Sequence, residues 1–347
     1  MNDTKSNKLK TLPIESLLPD HEDHGPLPGD AQAPTSTIVY YISKLNPLQF
    51  HKRGTRGKAL LCLAAVCFFW GTTWLASKEG VKHMPALQMA GIRQFIGGLC
   101  YVLFFLAKGA TWPKGKEWGP VLILSFLNFT VSNGLSTWGV KYISAGLGSV
   151  IGSIFPLWLV LISIVFSKKA VHPKTVIGIL LGFAGICVIF YDHLSDFLLP
   201  DFRFGIFISI ASTLAWAVGT IYTKKHAVHF NPYFSLGLQM IISGAALFGF
   251  TEASGIAISI SAIAWQSWAA IAYLVIFGSI ISFIAYLYAL QNLPTTQASI
   301  YAYINPIVAV LLGWIIFNEK LTPFIVLGVL ITLYGVYLVN RATMKQK

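Results

Sequence analysis

The side chains with chemistry to offer stand inside apolar stretches. Arg93 is the only charge between Pro85 and Ala107. A guanidinium placed there either reaches back along its aliphatic stem to a polar surface or receives a carboxylate or phosphate in its planar fork of donors. Uncharged polar groups recur at helical spacing. Asn128, Ser132 and Ser136 follow i, i+4, i+8, with Asn133 and Thr137 beside them. Ser279, Ser282 and Tyr286 share a face, and Tyr301 and Asn305 lie one turn apart just before Pro306. Trp70, Trp74 and Ser77 mark one stretch and Trp216, Thr220 and Thr223 another. Burying such groups without partners costs roughly 2–7 kcal/mol, so these stripes should converge on an interior. The candidate solute contacts are Trp70, Trp74, Asn133, Ser136, Ser153, Trp216, Thr220, Ser282, Tyr286, Tyr301 and Asn305, with Arg93 as a candidate anion contact. For any single Ser or Thr, a helix-to-helix hydrogen bond of about 0.6–2 kcal/mol is a sufficient alternative. Trp112, Trp118 and Trp268 lie near stretch ends and read as interface anchors.

Pro156 and Pro306 are candidate hinges. Each falls near the middle of an apolar stretch, where proline removes a backbone hydrogen bond and clashes with the carbonyl four residues earlier. The carbonyls freed would be those of Gly152 and Ala302. At membrane depth a freed carbonyl is tolerated where it faces protein or a wet cavity. A purely packed kink is the alternative. The glycines at 146, 148 and 152, and at 178, 182 and 185, read as close helix contacts.

No enzyme is expected. All eight histidines lie in the N-terminal segment, loops or stretch ends, so neither a Ser–His pair nor an intramembrane metal site forms from them. No catalytic residue, metal or cofactor is assigned. Glu79, Asp192, Glu252 and Glu319 sit at stretch ends, so no carboxylate marks a proton path at mid-depth. That favours neutral, zwitterionic or anionic solutes over cations.

The elements that must position these groups are transmembrane helices. Of 347 residues, 55% are hydrophobic and only 11% charged, under half the charged share of a soluble domain. Charge-free runs such as Ala59–Ser77, Trp118–Val140, Phe204–Thr223 and Leu321–Asn340 exceed the roughly 18 residues a span needs. Ten spans are expected, at 59–79, 85–107, 119–140, 144–166, 173–191, 204–223, 232–251, 267–290, 296–317 and 323–340. Of the 25 Lys and Arg, 19 flank the ends on the N-terminal side and 5 the opposite ends, which places both termini in the cytoplasm. The net charge of +12 follows from that asymmetry, and no aromatic-basic module calls for nucleic acid. Residues 1–57 are polar, Pro-rich and expected to be a disordered tail, with a basic cluster from His51 to Lys58 at the membrane surface. A short tail is expected at 341–347. The cysteines Cys62, Cys67, Cys100 and Cys187 lie in spans and read as packing residues.

The stretches repeat. Pro156 and Pro306 are 150 residues apart, and Pro173, Gly178 and Gly185 match Pro323, Gly328 and Gly335 at the same offset. Earlier in the chain the offset is 146: Trp70 falls on Trp216, Arg93 on Gln239 and Gly98 on Gly244. The repeats, 58–191 and 203–340, hold five spans each. Five is odd, so the second half enters the membrane from the other side. The expected fold is therefore an all-α polytopic membrane protein of about ten transmembrane helices in two inverted five-helix repeats, an architecture suited to alternating access.

The residues Trp70-Gly71-Thr72-Thr73-Trp74 with Lys78, Pro85 and Arg93, then Tyr142-Ile143-Ser144-Ala145-Gly146 leading to Pro156, carry a resemblance. Trp216-Ala217-Val218-Gly219-Thr220, Ala298-Ser299, Asn305-Pro306 and Glu319 extend it. The chain resembles the EamA-type, ten-helix branch of the drug/metabolite transporter superfamily. Lys168 departs from the pattern, standing where an acid matching Glu319 is usual. The resemblance implies export or exchange of small metabolites such as amino acids through a cavity between the halves, in a cell inner membrane. A channel, or a membrane-embedded sensor or scaffold using the long tail, remains the alternative. The partners expected are a small-molecule solute and the bilayer; a second copy of the chain is left open.

Overall fold

The computed structural model describes residues 56–166, 173–191, 194–225, 231–293 and 301–344, and every long element among them is helical. The expected disordered tail, most of the basic cluster and the loop holding Lys168 lie outside these residues. The helices are α1 Arg56–Gly80, α2 Ala86–Ala107, α3 within Gly115–Tyr142, α4 in two pieces (Ala145–Ser153 and Phe155–Phe166), α5 Pro173–Tyr191, α6 Pro200–Lys225, α7 Pro232–Ala253, α8 in three joined pieces (Trp265–Tyr273, Leu274–Ile281 and Ser282–Asn292), α9 Tyr301–Phe317 and α10 Pro323–Met344. Seven are long and apolar enough to cross a membrane, and the other three are shorter apolar helices. The chain is an all-α polytopic membrane protein. Its outward side chains agree, since Leu61 is 73% exposed and Phe207 70%, an arrangement stable only where lipid replaces water.

The start signals are local. Proline, whose missing N–H is unneeded in a first turn, opens α5, α6, α7 and α10. Asn231 caps α7 by accepting from the amides of Tyr233 and Phe234 at 2.9 and 3.3 Å. Ser144 caps α4 by accepting from Leu147 N at 3.0 Å.

Glycine contacts display the inverted repeat residue by residue. A Cβ added to Gly98 in α2 would lie 2.6 Å from Gly237 O in α7, and one on Gly244 would lie 2.8 Å from Gly91 O. Gly91 and Gly237 are 146 apart, as are Gly98 and Gly244. Each contact is therefore the other with the repeats exchanged. The α5–α10 pair does the same: a Cβ on Gly185 would meet Gly328 O at 2.6 Å, and one on Gly335 would meet Gly178 O at 2.6 Å. Each of these helices packs against its own repeat mate, backbone on backbone, as small-residue stripes allow.

Three features depart from regular α-helix. In α3, π-helical Ser125–Asn133 separates α-helical Trp118–Leu124 from Gly134–Tyr142. In α8, π-helical Leu274–Ile281 separates Trp265–Tyr273 from Ser282–Asn292. These are the third helices of the two repeats, so the irregularity is itself repeated; π segments concentrate at functional sites. The prolines, by contrast, differ. The fourth span breaks at Ile154, between Ala145–Ser153 and Phe155–Phe166, and Pro156 falls in the first turn of the second piece, where it removes no helical bond. Pro306 lies inside an α9 that runs unbroken from Tyr301 to Phe317. The expected pair of matching kinks is thus a break in one repeat and a continuous helix in the other.

Candidate functional site

A cavity of about 190 Å³ lies between the repeats. Helix α1 contributes Trp70, Thr73, Trp74 and Ser77, α2 contributes Arg93, and α3 contributes Ser132, Asn133, Ser136 and Thr137. The broken fourth helix adds Ser149, Gly152, Ser153 and Phe155; α6 adds Ser212, Thr213 and Trp216. From α8 comes Phe283, and from α9 Tyr301, Ala302, Asn305 and Pro306. The glycine-locked pair α5–α10 and helix α7 stand behind these walls. The volume is below the ~300–1,000 Å³ of pockets for drug-sized ligands and suits a small metabolite.

The two α1 tryptophans are held differently. Trp70 donates its indole N–H to Gly278 O in the α8 π segment at 3.2 Å. Its ring meets Phe283, Tyr286 and Tyr301 at centroid distances of 5.3, 5.2 and 5.1 Å. Trp74 lies flat on the fourth helix, where a Cβ on Gly148 or Gly152 would come within 3.0 or 2.9 Å of its ring. The glycine stripe of that helix is therefore a seat for an indole, in addition to being a helix contact. Asn305, with its amide nitrogen turned to the two carbonyls it faces, donates to Tyr301 O at 3.1 Å and Cys67 O at 2.9 Å. It ties α9 to α1 and leaves its oxygen as an acceptor. The Tyr301 hydroxyl meets the Trp216 indole and the Tyr286 hydroxyl.

The hydroxyls divide into two groups. Thr73, Ser149, Ser153 and Thr213 donate to carbonyls of their own helices at 2.7–2.8 Å and so can only accept further bonds; Thr213 already accepts from the Trp158 indole N–H at 3.0 Å. Ser132, Ser136, Thr137 and Ser212 make no such bond among the described residues and can donate.

Of the residues proposed from the sequence, the cavity is lined by Trp70, Trp74, Arg93, Asn133, Ser136, Ser153, Trp216, Tyr301, Asn305 and Pro306. Four stand elsewhere. Thr220 donates to Trp216 O at 2.8 Å, and Ser282 to Phe277 O, five residues back, as the π segment ends. Tyr286 backs the Trp70 ring. Pro156 is buried beyond the lining. Lining residues outside the candidate set are Ser77, Ser132, Thr137, Ser149, Gly152 and Ala302, with Thr73, Phe155, Ser212, Thr213 and Phe283. Ser212 and Thr213 lie one turn before Trp216, a spacing that carried the signal; Phe155 and Phe283 look like any core aromatic. Arg93, whose side chain had two readings, is 8% exposed and faces the cavity, so it does not snorkel.

Beyond Ser77, in the last turn of α1, the cavity meets a clamp. Lys78 Nζ donates to Ile143 O at 2.7 Å and Lys141 O at 3.4 Å, carbonyls in the last turn of α3 and just past its end. Glu319, from the other repeat, accepts from Ala145 N at 2.8 Å and Gly146 N at 3.2 Å, the first amides of α4. A cation thus sits on a helix C-terminus and an anion on a helix N-terminus, each matching the local dipole. Glu319 finds backbone partners in place of a symmetry-related acid.

A profile of the EamA-like transporter family matches the chain twice, over residues 57–191 and 203–341. An uncharacterized transporter of Bacillus subtilis, YvbV, is 28% identical over 85% of this chain and 96% of its own length. The uncharacterized inner membrane transporter YedA of Escherichia coli K12 is 28% identical over 80% of this chain and 89% of its own. A WAT1-related chloroplastic protein of Arabidopsis thaliana is 26% identical over 79% of this chain and 67% of its own. One solved crystal structure superposes with a TM-score of 0.58 at 18% identity, covering 82% of this chain and 98% of the other, a likeness of fold.

Proposed function

The chain belongs to the EamA-like transporter family, and on that footing we propose that it is a secondary transporter that exports or exchanges small metabolites such as amino acids by alternating access. The observation that carries this reading is a cavity of metabolite size lined by helices of both repeats, with the repeat mates Trp70 and Trp216 both on its wall. A site on the axis that relates two inverted halves can be exposed to either side by rocking one half against the other. The Glu319 contacts of the clamp join the second half to the first, as a gate that forms in one state and releases in the other must. No catalytic step is needed in such a cycle. By the distribution of Lys and Arg, both termini face the cytoplasm and the clamp lies on the opposite side; a relative named as an inner membrane transporter supports that membrane.

Solute counterflow in proteoliposomes tests the proposal, using amino acids, sugars and organic anions with and without a pH gradient. Uptake of labelled solute driven by the same solute inside supports an exchanger or facilitator, and uptake that needs the pH gradient adds proton coupling. Silence across the panel with folded protein overturns the transporter reading in favour of a sensor or scaffold.

A further inference from the structure

Arg93 is the feature that the transport cycle as proposed leaves unused. It is the only charged residue lining the cavity among the described residues, and it is 92% withdrawn from solvent. No described residue accepts a hydrogen bond from its guanidinium, and its Nε is buried without a partner among them. Charged side chains within membrane helices ordinarily pair with an opposite charge or with carbonyls. Here no Asp or Glu among the described residues lines the cavity. The pseudo-symmetric position in α7 makes the contrast plain. Gln239 is neutral, buried, and donates to Ser235 Oγ at 3.0 Å. Only one repeat carries a cation, and that cation is left without a counter-charge.

We infer that the cavity is built for a solute with one compact anionic group, a carboxylate or phosphate, held by Arg93. The inference rests on the transport reading for its place in a cycle, and on the geometry alone for its chemistry. The guanidinium fork matches the two oxygens of such a group. Ser132, Ser136 and Thr137 on α3, whose hydroxyls find no acceptor among the described residues, supply further donors to the same cavity. Trp70, Trp74 and Trp216 offer flat apolar surface for the body of the solute. A cationic solute would meet an unshielded like charge at short range and is excluded.

The test uses the full-length protein in detergent and benzoate, benzamide and benzylamine, which share one ring and differ in charge, with phenylphosphonate as the phosphate-like arm. Benzoate or phenylphosphonate at millimolar concentration is expected to raise Tm, while benzamide and benzylamine leave it unchanged. Arg93→Gln is expected to raise the half-effect concentration of the active anion about 10- to 100-fold, the loss of a hydrogen bond to a charged group. Arg93→Lys should restore part of the effect. Without ligand, Arg93→Gln should melt no lower than the parent, because an uncompensated buried charge is removed. A markedly lower Tm would mean that Arg93 is a structural residue and would overturn the inference. So would equal stabilisation by benzoate and benzamide, or no stabilisation by either anion. Counterflow separates the two proposals. A neutral or cationic solute transported equally by parent and Arg93→Gln sinks the anion site alone. Selective anion stabilisation without counterflow of any solute sinks the transport reading alone.

Discussion

Replacing Glu319 with Gln changes almost no volume and removes one charge. In the structure the carboxylate accepts from Ala145 N and Gly146 N, two of the amides that an α-helix leaves unpaired at its start. Glutamine keeps one acceptor oxygen, so one amide loses its partner and the other loses a charged one. A hydrogen bond to a charged group contributes about 1.5–3 kcal/mol, and an anion at a helix N-terminus about 0.3–1 kcal/mol. The closed clamp therefore loses about 2–4 kcal/mol relative to any state in which it is already open. At about 1.4 kcal/mol per decade, the closed-to-open ratio falls about 30- to 700-fold. The assay is the labelling rate of Ser149→Cys, one turn inside the clamp, by a membrane-impermeant thiol reagent in a background lacking the four native cysteines. Glu319→Gln should accelerate labelling at least tenfold, up to the limit set by a fully open population. Labelling within twofold of the parent, with the protein folded, would refute the claim that this pair of contacts holds the end of the cavity shut.

Trp74→Ala removes a ring that faces the cavity on one side and should cut transport at least tenfold with little loss of protein level; equal losses in both would remove Trp74 from the site. Asn305→Ala should cost both, because its amide also ties α9 to α1, and its drop in Tm should exceed that of Trp74→Ala. Gly185→Val would drive a Cβ into Gly328 O and should destabilise by about 1–3 kcal/mol, whereas Gly249→Val, with nothing within 4 Å, should leave Tm unchanged; similar shifts for both would contradict the tight α5–α10 contact. Pro306→Ala restores a hydrogen bond to Ala302 O inside α9 and should raise Tm while slowing turnover, whereas Pro156→Ala, in a first turn, should do neither; matching behaviour of the two would show that the prolines are equivalent after all.

Span identity was legible because it depends on local composition: a run of about 20 apolar residues has one stable home. The inversion was legible because it follows from an odd number of spans per repeat. Gly98 and Gly244, two of the four glycines that lock α2 to α7, and those that lock α5 to α10 announced themselves through their 146- and 150-residue offsets. Faces were another matter. A stripe read at 3.6 residues per turn assumes α-helix throughout, and the π segments in α3 and α8 hold more residues per turn and rotate the side chains after them. Ser282 therefore closes a π turn onto Phe277 O and does not reach the cavity. In α3 Asn128 packs against Gly219 of α6, while Ser132 and Ser136 of the same stripe line the wall. Local sequence also left Arg93 two destinations and Glu319 no partner. The choice between a guanidinium at the surface and one in the cavity depends on which helices surround α2. The partners of Glu319 lie 174 and 173 residues away. Hydropathy acts on each segment by itself and so is written along the chain. Charge pairing and cavity walls exist only once distant segments meet, and tertiary packing alone decides them.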